Sequence, residues 1–373
     1  MSVIASLLLA MQLYQPSPGR VVWVGKFPEL GAEPFLLDYS SGRFVKATAE
    51  ELAAVRDAKT IETRSENVFF RNGDVRLAGK ITLPVSEGKH PTIVLIHGSN
   101  DEDRDFLDPW VGFFVSRGLA VLSYDKRGVR ESAGDWKRAD FGDLAGDAHA
   151  GVQLLRTRKD IDAKRIGLFG ISQGGWIAPV VASRDTRIAF IILHAGSGLP
   201  VGENGLLYVD SLLRGYGFPE EEIEQAMAYY RLNDDVTRDP ARFAELKASY
   251  DKARARKVEW LLEEPQAADF WFRRFYRGIM DFDPAPYWAK VRCPVLAFLG
   301  ALDHNVPPEP NRKALENALK NDATIVVLPS ANHLFLRAKT GLPEEYPALT
   351  NFVDGYFDVM GAWLAQHSAT MKP

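Results

Sequence analysis

The sequence predicts an α/β fold with a mostly parallel central sheet and helices on both faces. Four short, almost continuously apolar runs, at residues 92–96, 119–124, 166–169 and 188–193, are separated by segments long enough for crossover helices. Such runs are typical of parallel strands that are buried on both faces, and their alternation with helical segments is typical of βαβ units. With 373 residues, 46% of them apolar, the chain can form one large core with additions.

Further elements complete this sheet on both sides. Residues 67–70 and 75–83 flank an Asn-Gly pair, Asn72-Gly73, which is a strong hairpin signal, so the main sheet is expected to begin with an antiparallel pair. Two more strands are predicted late in the chain, at 295–299 and 324–328. A final helix is predicted over about 352–364.

The N-terminal part precedes this pattern. Short β-rich pieces between 21 and 60 predict a small N-terminal β-rich element. Residues 1–20 contain an apolar run, 3–13, of signal-peptide length, but no basic residue precedes it and no small-x-small cleavage site follows it. A signal remnant and a buried segment both stay open, and so do cytoplasmic and exported locations. The run is too short for a membrane span, and no other stretch is long and apolar enough for one.

Between residues 197 and 291 the strand pattern stops, and amphipathic helices with charged faces replace it. We interpret this segment as a helical lid inserted between two parts of one core, residues 61–196 and 292–373. Within it, Trp271, Phe275 and Ile279 share one helical face. Core packing is the favoured interpretation of this aromatic stripe, and the alternative is that it lines an acyl pocket.

Composition excludes several classes of function. Lysine and arginine number 45 against 49 acidic residues, for a net charge of −4, so there is no basic field to attract nucleic acid. The single cysteine, Cys293, cannot form an internal disulfide, and no cysteine or histidine cluster has the spacing of a zinc site. A glycine-rich phosphate loop is also lacking. We therefore expect no metal and no cofactor; the sequence does not indicate an oligomeric state.

A Gly-x-Ser-x-Gly motif follows the apolar run at 166–169 and opens into a helical pattern. This context is typical of a nucleophile elbow, a strand-to-helix turn so tight that its flanks need small residues, here Gly170 and Gly174. The serine of such a turn has a strained backbone and an exposed hydroxyl. Ser172 is therefore the predicted nucleophile.

A serine hydroxyl needs a histidine as base, and the histidine needs a carboxylate that fixes its tautomer. With such an elbow, the chain order is nucleophile, acid, histidine, each on a loop after a strand. His333 lies just beyond the last predicted strand and is the predicted base. Asp303 follows the preceding strand and is the predicted acid, with Asp322 and Asp283 as alternatives. His194, at the end of the strand after the elbow, is expected to satisfy its hydrogen bonds locally.

Acyl transfer also needs hydrogen-bond donors for the oxyanion. One is predicted to be the backbone amide of Gln173, directly after the nucleophile at the start of the next helix. The other is expected from the loop after the strand at 92–96, where Gly98 lets the backbone turn, and we assign the Ser99 amide. His97 is interpreted as a structural hydrogen-bonding residue.

With these motifs, the chain resembles the α/β-hydrolase superfamily over roughly residues 61–373. It is similar to bacterial esterases and to prolyl-oligopeptidase-like or serine-aminopeptidase-like hydrolases that carry an HGS loop, an Asp-Arg-Asp stretch at 103–105 and a Tyr-Asp-Lys-Arg-Gly turn at 124–128. Those relatives usually act on carboxylic esters, sometimes on thioesters or peptides, without a cofactor. Family members often have glycine where this chain has Asn100.

Two charged features are given structural interpretations. The acidic run at 101–105 lacks the spaced ligands of a calcium loop and is expected to be a solvated rim. Lys126 and Arg127 are expected to pair with nearby acids and to hold their turn.

The sequence therefore predicts a lidded serine hydrolase that cleaves small carboxylic esters through an acyl-enzyme. A peptidase, an aminopeptidase or a thioester hydrolase with the same three residues is the first alternative. The alternative from another class is a binding protein that has the fold without catalysis.

Overall fold

Two β-sheets organise the computed structural model, which describes residues 11–26, 33–261, 264–320 and 322–370. Its strands are β1 (Gln12–Ser17), β2 (Arg20–Lys26), β3 (Pro34–Asp38), β4 (Phe44–Lys46), β5 (Lys59–Ile61), β6 (Thr63–Asn72), β7 (Val75–Pro84), β8 (His90–Ile96), β9 (Ala120–Tyr124), β10 (Ile161–Ile171), β11 (Ile191–His194), β12 (Val295–Gly300) and β13 (Ala323–Leu328).

Helices connect and cover these strands. They are α1 (Ala49–Arg56), α2 (Asp108–Ser116), α3 (Phe141–Arg156), α4 (Gly174–Arg184), α5 (Val201–Gly215), α6 (Glu220–Arg238), α7 (Phe243–Ala255), α8 (Trp271–Ile279), α9 (Ala285–Trp288), α10 (Pro308–Ala318) and α11 (Tyr356–Thr370), with short 3-10 turns at Trp136–Arg138, Pro240–Arg242 and Pro343–Ala348.

The main sheet has the strand order β13-β12-β11-β10-β8-β9-β7-β6. The six strands from β13 to β9 in this order are parallel, and β7 and β6 join antiparallel at one edge. The predicted mostly parallel sheet is therefore confirmed, and so is the hairpin around Asn72-Gly73. Gly73 has φ of 56°, a left-handed conformation that glycine adopts without strain.

Successive residues along each parallel strand face opposite sides of the sheet. On one side, Val94 and Leu168 belong to a core cluster with α3, α4 and α10. On the other, Leu95 and Phe169 pack with α2 and α11. Both faces of the sheet are therefore covered by helices, which confirms the predicted α/β class.

The small N-terminal sheet is antiparallel, with the order β4-β3-β2-β1-β5. It already begins at Gln12, inside the segment that the sequence had set apart as residues 1–20; residues 3–10 of the apolar run lie outside the described residues. Leu13 and Trp23 are buried in the same core cluster as α2. The sheet therefore shares one hydrophobic core with the central fold.

Helices α5 to α8 form an insertion between β11 and β12. Helices α5, α6 and α7 share a hydrophobic cluster of their own, which includes Leu213, Met227 and Leu246. Phe275 on α8 instead packs edge-on against Trp136 of the main fold, with ring centroids 5.1 Å apart. The stripe on α8 therefore joins the insertion to the core.

Helix α11 begins later than predicted. Phe352, the predicted start, forms a β-bridge with Leu336, and Gly355 has φ of 82°, so helical geometry begins only at Tyr356. None of the helices in the described residues combines the length and apolar character that crossing a bilayer requires.

Candidate active site

The turn between β10 and α4 holds Ser172 in a left-handed backbone conformation, with φ of 48°. This conformation costs energy for a residue with a side chain, and a hydrogen bond from the Ser172 amide to the His194 carbonyl oxygen at 2.9 Å helps to hold it. A Cβ atom at Gly170 would lie 2.6 Å from the Gly174 carbonyl oxygen, and one at Gly174 would lie 2.7 Å from the Ile96 carbonyl oxygen. Only glycine fits at either flank.

Two loops at the carboxyl ends of neighbouring strands carry the predicted acid and base. Asp303 follows β12 and is buried, whereas His333 follows β13 and is partly exposed. The loops touch at Gly300, where a Cβ atom would lie 2.6 Å from the Ala331 carbonyl oxygen. The buried Asn332 side chain accepts hydrogen bonds from two amides of the histidine loop, each at 3.0 Å. The position of His333 is thus fixed by its own turn.

Ser172, His333 and Asp303 form one continuous chain of hydrogen bonds. The Ser172 Oγ lies 3.0 Å from Nε2 of His333, and Nδ1 of His333 lies 2.8 Å from Oδ2 of Asp303. The other carboxylate oxygen, Oδ1, accepts the Val306 amide at 2.9 Å. Because a carboxylate only accepts, Nδ1 carries a proton and Nε2 is left to accept the serine hydroxyl. The arrangement can move a proton from Ser172 Oγ to the imidazole.

The alternative acids bind elsewhere. Asp322 accepts a hydrogen bond from His367 Nε2 at 3.3 Å, and Asp283 caps the Ala285 amide at 2.9 Å. Of the predicted acids, the structure brings Asp303 to His333.

His194 lies beneath the elbow and satisfies one ring nitrogen locally. Trp110 Nε1 donates to the Tyr356 hydroxyl, and that hydroxyl donates to His194 Nδ1, both at 2.8 Å. Complete burial holds the pKa of His194 well below its usual value, and the nearby His333 acts in the same direction. His194 therefore stays neutral at physiological pH.

The two predicted oxyanion amides belong to the loop after β8 and to the residue that follows Ser172, and the Lys126 ammonium contacts both segments. The Gly98 amide donates to Glu102 Oε2 at 2.8 Å, so it is occupied. Neither the Ser99 amide nor the Gln173 amide donates a hydrogen bond to another residue in the described part of the chain. Gln173 is also the N-cap residue of α4, where the helix dipole favours a negative charge. These two amides are available to a ligand oxygen.

His97 is buried, and its ring makes contacts within the core. Its Nε2 donates to the Tyr124 carbonyl oxygen, and the ring packs edge-on against Tyr124. Burial lowers the pKa of His97 to about 3, and the charge of Lys126 contributes to this shift. His97 is therefore a neutral hydrogen-bonding residue of the core.

Lys126 has other hydrogen-bond partners than the sequence suggested. Arg127 forms the expected ion pair, with its Nε 2.6 Å from Oδ2 of the buried Asp147. Lys126 Nζ instead donates to three uncharged oxygens, the carbonyls of Gly98 at 2.7 Å and Asn100 at 3.2 Å and the Gln173 side chain at 3.1 Å. No periodicity of the sequence signals this role.

Burial lowers the pKa of Lys126 to about 8, although the carboxylates of Glu102 and Asp101 act in the opposite direction. The ammonium also lies 4.2 Å from the centre of the Trp136 ring, which stabilises the charge by a cation–π contact. Lys126 is thus a buried cation close to the elbow.

The acidic run at 101–105 is not the solvated rim that was predicted. Glu102 and Arg104 are only 3% and 5% exposed. Arg104 binds Asp125 with two parallel hydrogen bonds, at 2.9 and 2.6 Å, and Asp101 accepts Trp136 Nε1 at 2.5 Å. The prediction was wrong because the partners of these charges lie far along the chain. Glu102 and Arg104 fold into the core while the Asp101 side chain stays exposed, and the Glu102 carboxylate holds the loop that carries Ser99 through the Gly98 amide.

Comparison with known proteins identifies the family. The family model described as X-Pro dipeptidyl-peptidase (S15 family) matches residues 72–336. The chain belongs to this family. It is also 24% identical over 342 residues to the esterase EstD of Thermotoga maritima, covering 87% of this chain and 74% of that protein. A putative carboxymethylenebutenolidase of Synechocystis is 24% identical over 226 residues, 52% of this chain and 92% of that one.

Solved structures give the same fold. The α/β hydrolase GrgF from Penicillium has a TM-score of 0.54 at 17% identity and covers 83% of this chain and 99% of its own. A 2,6-dihydroxy-pseudo-oxynicotine hydrolase also has a TM-score of 0.54, at 16% identity, over 84% of this chain and 70% of that chain. The protein is a hydrolase of the α/β-hydrolase superfamily, as its sequence motifs indicated.

Proposed function

We propose that this protein is a serine hydrolase that cleaves small carboxylic esters through an acyl-enzyme. The observation that carries the proposal is the hydrogen-bond chain from Ser172 Oγ through His333 to the buried carboxylate of Asp303. It meets the geometric requirement for an activated serine, in which the nucleophile contacts the base and a third group orients the base.

In the proposed reaction, Ser172 Oγ attacks the ester carbonyl carbon while His333 Nε2 takes the hydroxyl proton. The tetrahedral intermediate collapses, the C–O bond to the alcohol breaks, and His333 returns the proton to the leaving alcohol. Water then attacks the acyl-enzyme, with His333 again as base, and releases the acid and free Ser172. Asp303 stays ionised throughout and stabilises the imidazolium that forms in each half.

The backbone amides of Ser99 and Gln173 are proposed to bind the oxyanion of both tetrahedral intermediates. Both are available to a ligand, and the Gln173 amide lies at the N-cap of α4, where the helix dipole adds to its donor strength. Loss of one such donor reduces the rate by about a hundred- to a thousandfold. These amides would therefore contribute as much as many catalytic side chains.

The helical insertion is proposed to act as a lid that limits the size of the substrate. It is attached directly beside the acid loop, because Asn204 Nδ2 on α5 donates to the Asn305 carbonyl oxygen at 2.9 Å, and Ser211 Oγ lies 2.8 Å from His304 Nδ1. A lid held next to Asp303 would bound the site on the substrate side.

The proposed activity is tested with short-chain p-nitrophenyl esters. We expect turnover by the wild type and loss of turnover in Ser172→Ala. Ser183→Ala is the matched control, because Ser183 lies on α4, the helix that follows Ser172, and its hydroxyl donates to the Val180 carbonyl oxygen. Equal rates for the wild type and Ser172→Ala would remove the proposal.

A peptidase with the same three residues is the second candidate, favoured by the match to the X-Pro dipeptidyl-peptidase family model. The esterase EstD covers more of this chain than that model does, so we place esters first. An X-Pro arylamide and a short-chain acyl thioester, assayed beside the p-nitrophenyl ester, separate the candidates. Turnover of only the arylamide, or of only the thioester, would support the same three catalytic residues and would replace the ester as the proposed substrate class. A protein that neither hydrolyses these substrates nor reacts with a fluorophosphonate would be a binding protein.

A further inference from the structure

One buried ammonium group connects the two segments that carry the proposed oxyanion donors. Lys126 follows β9, and its side chain is 2% exposed. Its Nζ binds the carbonyl oxygens of Gly98 and Asn100, the residues on either side of Ser99, at 2.7 and 3.2 Å. The same Nζ binds the side-chain oxygen of Gln173 at 3.1 Å. All three donor positions of the ammonium are therefore used, and each points at a residue of, or next to, the oxyanion segments.

We propose that Lys126 is a positioning residue that sets the distance between the Ser99 and Gln173 amides and so shapes the oxyanion site. This inference rests on the proposed function. Carbonyl oxygens on both sides of Ser99 are tied to one point, which fixes the peptide planes of that turn. Because the Ser99 N–H shares its peptide plane with the Gly98 carbonyl, the first hydrogen bond sets the direction of this N–H, and the hydrogen bond to Asn100 holds the far side of the turn. The third hydrogen bond ties the turn to Gln173, the N-cap residue of α4.

The arrangement has the electrostatics of a positioning group rather than of a proton donor. Trp136 covers the ammonium, with the ring centre 4.2 Å from Nζ. Trp136 is itself held by Asp101, which accepts its Nε1, and by Trp271 and Phe275 on α8, whose rings pack edge-on against it. The cover excludes water, and hydrogen bonds of a charged donor to oxygens are stronger in such surroundings.

This role explains why a lysine is used. A buried cation is costly unless it is fully hydrogen-bonded, so a residue that only filled space would be apolar. The flexible stem of lysine ends in a compact group with three donors, which can reach three oxygens on two different segments. A planar guanidinium has a different geometry and would displace at least one of them.

The test compares Lys126→Met with Lys137→Met. Methionine keeps an unbranched side chain one atom shorter than that of lysine and removes all three hydrogen bonds. Lys137 is the matched control, since its Nζ faces the same Trp136 ring at 5.4 Å and binds Asp101 but no oxyanion segment. For Lys126→Met we expect kcat for a p-nitrophenyl ester to fall by about a hundredfold, within the range for one lost oxyanion donor, with KM nearly unchanged. Lys137→Met should keep both values.

Inhibitors separate positioning from general loss of structure. A trifluoromethyl ketone adds to the nucleophilic serine and places a negative oxygen in the oxyanion site, whereas the methyl ketone of the same chain binds without that charge. Lys126→Met should weaken the binding of the trifluoromethyl ketone by about the same hundredfold and leave the affinity for the methyl ketone unchanged. A variant that binds both ketones as the wild type does, or loses both equally, would overturn the inference.

A second variant keeps the inference falsifiable if Lys126→Met does not fold. Gln173→Met retains the backbone amide and removes only the side-chain link to Lys126. It should also weaken the trifluoromethyl ketone selectively, and equal affinity in Gln173→Met and the wild type would overturn the inference. A wild type without turnover of any acyl substrate would instead remove the proposed function, which is a distinct outcome.

Discussion

Replacing Asp303 by asparagine tests the proposed orientation of the base. In the structure, Oδ1 of Asp303 accepts the Val306 amide and Oδ2 accepts His333 Nδ1–H. An asparagine has only one oxygen, and that oxygen is needed by the Val306 N–H. The amide NH2 then faces Nδ1, so Nδ1 must give up its proton and Nε2 must carry it. In that tautomer Nε2 donates to Ser172 and cannot accept its proton.

The structure also sets the size of the effect. Rotating the side-chain amide of the new asparagine by 180° would restore the original tautomer of His333. It would also bring the amide NH2 against the Val306 N–H, and leaving these two buried donors without an acceptor costs about 1–3 kcal/mol. The wrong tautomer is therefore the stable one, and the charge that stabilises the imidazolium is lost as well. We expect kcat to fall by roughly 10³- to 10⁴-fold, about 4–5.5 kcal/mol of transition-state stabilisation.

The assay is steady-state hydrolysis of a short-chain p-nitrophenyl ester near neutral pH. Asp322→Asn and Asp283→Asn are matched controls, because these carboxylates contact His367 and the Ala285 amide instead of His333. Both controls should keep the wild-type kcat. A kcat for Asp303→Asn close to the wild-type value, with the fold intact, would show that Asp303 does not determine the tautomer of His333.

Three further predictions concern the elbow and the buried charges. Gly174→Ala should abolish turnover, because the new Cβ would lie 2.7 Å from the Ile96 carbonyl oxygen and force the elbow open. Arg127→Met should lower the free energy of unfolding by about 3–5 kcal/mol, because it leaves the buried Asp147 without its ion-pair partner. Asp234→Asn should raise the thermal midpoint at pH 7 and not at pH 4, because burial raises the pKa of Asp234 to about 6. The folded state then binds this proton more tightly than the unfolded state, so stability is lost as pH rises from about 4 to 6, by on the order of 1–3 kcal/mol.

Each of these predictions has a contrary outcome. Turnover in Gly174→Ala at the wild-type rate would mean that the elbow tolerates a side chain. Denaturant unfolding of Arg127→Met with an unchanged midpoint would show that Asp147 finds another partner. An equal shift of the thermal midpoint of Asp234→Asn at both pH values would assign the effect to packing rather than to charge.

The sequence predicted the central sheet well because local physics determines its strands. The run at 166–169 is apolar at every position except Gly167, since both faces of β10 are buried, and Asn72-Gly73 marks a turn that few other residues can form. The elbow could also be predicted from the sequence. A Cβ atom at Gly170 would meet the Gly174 carbonyl oxygen within the motif itself, whereas one at Gly174 would meet Ile96 at the end of β8. The motif encodes the first contact, and the parallel sheet supplies the second.

The environment of the charged residues could not be predicted in this way. Arg104 pairs with Asp125, and Lys126 binds Gly98 and Gln173, across separations of 21 to 47 residues. A polar run such as 101–105 has the local pattern of a solvated loop whether or not its partners arrive from elsewhere. The burial of these charges is set by tertiary packing, and no periodicity reports it.

In the proposed reaction Ser172 becomes a nucleophile through His333, and covalent labelling of the serine reports this activation. The protein is treated with a fluorophosphonate, and the modified peptide is located by mass spectrometry. We expect one adduct, on Ser172, formed rapidly in the wild type, far more slowly in His333→Ala and absent in Ser172→Ala. An adduct on another residue, or equally fast labelling without His333, would contradict it.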